Sequence, residues 1–207
     1  MTAQALPKWT QQDYLAYERR NEAKHEFVNG MLFAMAGASR WHNLIVTNVS
    51  RELSLQLKGK TCEVYPNDMR VHIPDTGLYT YSDAVVVCGV PRFEDAIRDT
   101  LLNPTVVIEV LSPSTEGYDR GAKFRHYRRI ESLRHYVLIT QDQPYIECYS
   151  KQEGSPFWFL TEADGLEAEM SLPAIDCVLQ LAETYDKVVF DETERQEFMD
   201  AARRVPR

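Results

Sequence analysis

Cysteine is sparse in this 207-residue chain, and no two of Cys62, Cys88, Cys148 and Cys177 form a CxxC pair. That spacing excludes a zinc ribbon and a dense disulfide framework, so a reduced, cytoplasmic protein is the simplest expectation. No stretch approaches the roughly eighteen uncharged apolar residues of a membrane helix, and Met1 to Lys8 lacks a basic region followed by an apolar run. Neither a membrane partner nor export is expected. Positive charge is in deficit, with 23 Lys and Arg against 31 Asp and Glu and a formal net charge of −8. Broad attachment to a phosphate backbone or an anionic membrane is therefore disfavoured, and any nucleic-acid contact must be local. Repeats and linker composition are absent too, while 44% hydrophobic and 26% charged residues match a folded chain. One domain is expected over 1–190, followed by a charged helix or tail over 191–207.

What is present reads as strands interleaved with helices. Thr10 offers an N-cap hydroxyl with Asp13 in the first turn, and Tyr14, Leu15 and Tyr17 supply an apolar side, predicting a helix that ends near Arg20. Asn29-Gly30 between His25–Val28 and Met31–Met35 predicts a two-stranded hairpin. From Ser39 to Leu57, Trp41, Leu44, Ile45, Val49, Leu53 and Leu57 recur three or four apart, the stripe of a helix packed on a sheet. Cys62–Ile73, Ser82–Cys88 and Thr105–Leu111 read as strands, the last two as nearly continuous apolar runs that predict central, doubly covered positions. A helix is expected from Ser114 or Thr115 to about Ile130, then strands at His135–Ile139 and Tyr145–Tyr149. Phe157–Phe159 and a run ending at Leu172 are expected to extend the sheet, and Val178–Val189 reads as helical. The sum is an α/β (α+β) fold, a mixed sheet flanked by helices with an N-terminal helix and hairpin.

Two carboxylates interrupt the apolar strands. Asp83 opens Asp-Ala-Val-Val-Val-Cys, and Glu109 sits inside Val-Val-Ile-Glu-Val-Leu. Burying an ionised carboxylate costs several kcal/mol unless it is paired or bound to a cation. Carboxylates at the ends of neighbouring strands can share a divalent ion, and Mg²⁺ favours such hard oxygen ligands. Lys123 would complete the set by positioning or deprotonating water and stabilising phosphate charge. Residues 116–135 hold six basic side chains, Arg120, Lys123, Arg125, Arg128, Arg129 and Arg134, against three acidic ones. Each residue also has a plainer reading. Asp83 could accept backbone N–H bonds at a strand start, and Glu109 could pair with a helix arginine. Lys123 could form a solvated i,i+4 pair with Asp119. His42 could be a hydrogen-bonded core histidine, Glu26 a cross-strand partner, and the arginines a solvated face.

The chain resembles the Uma-two (Uma2) family of the PD-(D/E)XK restriction-endonuclease-like superfamily. The resemblance rests on Tyr81-Ser82-Asp83-Ala84-Val85-Val86-Val87, on Asn103-Pro104 through Ile108-Glu109-Val110-Leu111-Ser112-Pro113-Ser114-Thr115, and on Tyr118-Asp119-Arg120-Gly121-Ala122-Lys123-Phe124-Arg125-His126-Tyr127. His25-Glu26-Phe27-Val28-Asn29-Gly30 and His42 extend it over about Trp9 to Val189. It implies a restriction-endonuclease-like core in which Asp83 and Glu109 are metal carboxylates and the Val110 carbonyl is a third ligand. Glu26 resembles an additional acidic residue beside the metal. The sequence departs from the superfamily pattern twice: Ser82 replaces the usual Pro, and Leu111 stands where a Lys would follow the Glu by two residues. The second departure moves the lysine role to Lys123.

The function expected is a Mg²⁺- or Mn²⁺-dependent endonuclease hydrolysing DNA phosphodiester bonds. Asp83, Glu109, Lys123, Glu26 and His42 form its catalytic set, and Arg120 and Arg125 bind substrate. A homodimer that aligns two basic helices would offset the acidic total charge. A nuclease-fold binding or regulatory module with weak or lost turnover is the alternative, since fold alone does not fix function. Hydrolysis of a small phosphate ester is a third reading, and it requires a closed pocket.

Overall fold

The computed structural model describes residues 8–35, 37–190, Thr193 and Gln196. The expected charged tail over 191–207 lies, those two residues apart, outside the described residues. In chain order the elements are helix α1 (Gln11–Glu18), strands β1 (His25–Val28) and β2 (Met31–Ala34), and helix α2 (Arg40–Gln56). Next come β3 (Cys62–Pro66), β4 (Arg70–Ile73), β5 (Leu78–Tyr81), β6 (Ala84–Cys88), β7 (Thr100–Leu101) and β8 (Val106–Val110). A helical segment follows in three pieces: α3 (Glu116–Tyr118), a π-helical turn (Asp119–Lys123) and α4 (Phe124–Tyr127). The rest comprises β9 (His135–Ile139), β10 (Tyr145–Lys151), β11 (Trp158–Asp164), β12 (Glu169–Leu172), β13 (Cys177–Gln180) and α5 (Leu181–Thr184).

A six-stranded mixed sheet in the order β11-β10-β9-β8-β6-β3 forms the centre. Only β8 and β9 run parallel in it. Alternation along its strands divides the core in two. Ala84, Val86, Val106, Ile108 and Val110 pack against Ile45, Val46, Val49, Leu53 and Leu57 of α2 and the adjoining turn, and against the separate β12-β13 hairpin. Val85, Val87, Val107 and Leu111 face the other way, onto Phe124, Tyr127, Ile130 and Leu133. Val71, Ile73, Leu78 and Leu101 of a second, five-stranded sheet (β2-β1-β5-β4-β7) join that cluster. Glu109 shares the parity of Val107 and Leu111, so it points toward the segment bearing Lys123. Asp83, just before β6, lies at the sheet edge, where it meets His42 of α2 and the Val110 N–H.

Local chemistry explains the elements that match expectation. Thr10 and Asp13 close a capping box on α1, and Ser39 caps α2 by accepting from the His42 N–H at 3.0 Å. Asn29 (φ 53°) and Gly30 (φ 80°) make the left-handed two-residue turn that joins β1 to β2. β8 is buried along its whole length and β6 at all but Cys88.

Other expectations need correction. The stretch Cys62–Ile73 is two strands in different sheets, because Pro66 ends the first ladder and its carbonyl closes a turn onto Asp68. β5 follows as a further strand that apolar patterning did not single out. The helix expected to reach Ile130 stops at Tyr127 and is interrupted by the π turn. Residues 177–180 alternate in burial and pair with β12, so the helix expected from Val178 is a strand, and only Leu181–Thr184 turn helically. The run ending at Leu172 belongs to this hairpin instead of the main sheet. Cys62 and Cys88 are opposite one another on β3 and β6, with Cα atoms 4.0 Å apart, and are joined as a disulfide. The expectation of a fully reduced chain fails at that pair, while Cys148 and Cys177 are free and buried. No helix among the described residues is long and apolar enough to cross a membrane.

His135, at the start of β9, links this sheet to the segment before β13. Its Nε2 accepts from the Ala174 N–H at 3.1 Å, and its Nδ1 lies 2.9 Å from Ser150 Oγ. Burial, helped by Arg134, pushes the imidazole down to about 4. A depressed histidine favours the fold above its unfolded value near 6.5, and the contribution fades as pH falls from there through about 4. At most about 3 kcal/mol is lost over that window. Urea unfolding of wild type and His135→Gln at pH 7.5 and pH 4.5 should show wild type losing the larger share on acidification. Equal losses would remove His135 from the acid response.

Candidate active site

β6 and β8 are antiparallel neighbours with Ala84 opposite Ile108, so the next positions outward are Asp83 and Glu109. Glu109 is 3% exposed and Lys123 4%. Lys123 Nζ lies 3.0 Å from Glu109 Oε1, 3.5 Å from Asp119 and 3.6 Å from Glu26 Oε1, and it donates to the Tyr81 carbonyl at 3.0 Å. One ammonium thus sits among three carboxylates from β8, β1 and its own helical segment. Glu26 also accepts from Thr80 Oγ1, across the β1–β5 junction. The π turn puts Asp119 and Lys123 on the inner side together, and the Asp119 backbone carbonyl accepts from the buried Tyr136 hydroxyl at 2.9 Å. π-helical turns inside helices are frequent at functional sites.

Electrostatics follow from this crowding. Burial holds the Glu109 carboxyl well above its usual range, with Asp119 and Asp83 adding to the rise and Lys123 opposing it. Burial works against the charge on Lys123, but Glu109, Glu26 and Asp119 outweigh it and hold the ammonium well above its ordinary value. Asp119 is raised by burial despite its contact with Lys123. Carboxylates in excess of cations in a desolvated space describe a place where a further positive charge is stabilised.

Asp83 is held from two sides. Its Oδ2 accepts the Val110 N–H at 2.7 Å, and its Oδ1 lies 3.1 Å from His42 Nε2 in the first turn of α2. His42 is therefore neither a simple core residue nor remote from the site, and its Nδ1 is buried without a hydrogen-bond partner. Val110 is joined to the site through its N–H. Arg120 is turned onto protein carboxylates, 2.7 Å from Glu116 and paired with Glu147, whereas Arg125 is exposed. Lys123 is internal, so the basic surface of 116–135 is smaller than its composition suggests.

Asp119 is the member of the cluster that sequence reasoning missed. Its spacing to Lys123 matches a solvated surface pair, and only the π turn and the neighbouring Asp-Arg-Gly-Ala-Lys match to the resembled family pointed inward. A surface depression of about 700 Å³ is lined by Glu63, Tyr65, Val90, Pro91, Phe93, Asp95, Ala96 and Arg98, and by none of the cluster residues.

Residues 11–182 match the family model described as "Uma2: Putative restriction endonuclease". The chain belongs to the Uma2 family. Two Synechocystis sp. PCC 6803 relatives, the uncharacterized proteins sll1609 and slr1290, are 38% and 36% identical to it. The first alignment covers 78% of this chain and 90% of that relative, the second 75% and 80%. A crystal structure of "a putative nuclease belonging to DUF820" from Anabaena variabilis superimposes with a TM-score of 0.70 at 17% identity, over 86% of this chain and 98% of that one. At that identity it shows the fold alone. The Uma2 chain thus shares the mixed α/β architecture of that structure.

The donor chemistry of this Uma2 chain fits Mg²⁺ or Mn²⁺. All four acidic groups offer hard oxygens of the kind these ions take, and Glu109 Oε1 is at present paired with Lys123 Nζ at 3.0 Å. Among the described residues, no three Asp, Glu, His or Cys side chains already stand together as an ion cage; Lys123 Nζ takes the central position. Removing that ammonium leaves Glu109 buried beside two more carboxylates. Lys123→Met should lower urea-unfolding stability by about 3–5 kcal/mol at pH 7, and adding Glu109→Gln should restore part of it. An unchanged midpoint in Lys123→Met would show that the pair carries no stability.

Proposed function

We propose that this Uma2 protein is a Mg²⁺- or Mn²⁺-dependent endonuclease that hydrolyses DNA phosphodiester bonds. The observation that supports this most directly is the convergence of Glu109, Glu26 and Asp119 on Lys123, each within 3.6 Å of its Nζ, beside Asp83 at the residue before the adjacent strand. Family membership points the same way. In this reading Asp83 and Glu109, with the Val110 carbonyl, hold the ion. A bound divalent ion supplies Lewis acidity toward the phosphoryl oxygen and an activated water.

The chain's own groups do the rest. Lys123 would orient the attacking water and neutralise charge that develops on the phosphate, with Glu26 and Asp119 holding its ammonium beside Glu109. His42 keeps Asp83 in place. Arg125, and Arg120 if released from Glu116 and Glu147, meet the flanking phosphates. The net charge of −8 makes duplex contact local, and a homodimer aligning two basic helices would extend it. In-line displacement of this kind needs no covalent enzyme intermediate.

The test combines plasmid cleavage with Mn²⁺ and Mg²⁺ calorimetry on wild type, Asp83→Ala, Glu109→Ala and Lys123→Met. Cleavage should fall more than about a hundredfold in all three variants. Ion binding should vanish in Asp83→Ala and Glu109→Ala and persist in Lys123→Met. Ion binding without cleavage in wild type would favour the binding-module alternative, and no ion binding at all would make the carboxylates structural.

A further inference from the structure

Five contacts close a ring around the strand ends. His42 Nε2 reaches Asp83 Oδ1 at 3.1 Å, and Asp83 Oδ2 accepts the Val110 N–H at 2.7 Å. One residue along the chain, the Leu111 carbonyl accepts from Gln141 Nε2 at 2.5 Å. Gln141 Oε1 accepts from Ser39 Oγ at 2.5 Å, and Ser39 Oγ accepts the His42 N–H at 3.0 Å. The His42–Asp83 contact is an ion-pair distance, and the direction of each of the four hydrogen bonds is forced. A carbonyl only accepts, so the Gln141 amide must turn its NH₂ to Leu111, which leaves its oxygen for the Ser39 proton.

The ring joins the N-terminus of α2, the residue before β6, the end of β8 and the residue two past the end of β9. Its members Ser39, His42, Asp83 and Gln141 are only partly buried, so apolar packing does not lock them. Hydrogen bonds must do it. The Ser39 hydroxyl is used twice, once to cap α2 and once to tie that helix to Gln141.

We infer that Ser39 and Gln141 are positioning residues for Asp83, holding it and the Val110–Leu111 backbone in register through this ring. The role in ion binding rests on the nuclease reading above; the ring itself does not. Supporting partners that orient a ligand typically change metal affinity by 10–100-fold when removed.

Amide hydrogen exchange at Val110, whose N–H is given to Asp83, reads the ring without any ion. Gln141→Ala should accelerate Val110 exchange about tenfold or more while Val107, inside β8, keeps its wild-type rate. Ser39→Asp separates the two jobs of Ser39, because aspartate caps a helix well but has no proton for Gln141 at neutral pH. It should behave like Gln141→Ala at Val110, and Ser39→Thr, which retains the hydroxyl, should behave like wild type. Unchanged Val110 exchange in Gln141→Ala and Ser39→Asp overturns the inference, as does equal acceleration at Val107, which would signal general loosening. Mn²⁺ calorimetry on the same proteins should show a roughly tenfold weaker Kd in Gln141→Ala and Ser39→Asp. An unaltered Kd beside accelerated exchange would overturn the link from ring to ion while leaving the nuclease reading intact. Wild type that binds no Mn²⁺ would overturn both that link and the nuclease reading.

Discussion

The structure turns on one buried ammonium. Lys123 is sunk where it is because Glu109, Glu26 and Asp119 surround it, and its ammonium is the charge partner those buried carboxylates share. Desolvating such a set costs more than a comparable apolar core would. Its value is specificity, since it pins the 116–127 segment to β8 of the central sheet and to β1 of the hairpin at one point. A chain that needed only stability could fill the same volume with leucine. Perturbed charged groups gathered in this way are the kind of arrangement found at functional sites.

Much of the frame was legible because the sequence follows simple periodicities. Thr10, Ser39 and Asn29-Gly30 mark their cap and turn by residue type, and the apolar runs of β6 and β8 announce central strands. Errors fell where local pattern and long-range pairing disagree. Val178-Leu179-Gln180-Leu181 carries apolar spacing that suits a helix or a strand, and pairing with Glu169–Leu172 decided it. Residues 62–73 read as one extended stretch, since nothing apolar marks the Pro66 turn as a passage between sheets. Cys62 and Cys88 lie 26 residues apart and meet only through the β3–β6 register.

The site shows the same division. Asp83 and Glu109 stood out because carboxylates are anomalous in apolar strands, and the bond from Val110 to Asp83 ties the two strand ends together. Asp119 looked like the surface partner of Lys123, because i,i+4 spacing on a regular helix is a solvated pair until a π turn rotates it inward. Ser39 and Gln141 carried no chemical signal in sequence. Their part emerges only when strand ends and a helix cap, 102 residues apart, are seen to share a hydrogen bond. A cap serine is too common to suggest a second task.

The same crowding bears on the proposed ion site. On the proposed reading, a divalent ion on Glu109 would compete with Lys123 Nζ, which lies 3.0 Å from its Oε1, and would displace the ammonium toward Glu26 and Asp119. Anomalous diffraction from crystals soaked in Mn²⁺ tests this directly. The account predicts one Mn²⁺ peak bonded to Asp83 and Glu109, with Lys123 Nζ shifted toward Glu26 and Asp119. A Mn²⁺-soaked crystal with no peak at these carboxylates, and Lys123 still paired to Glu109, would contradict it.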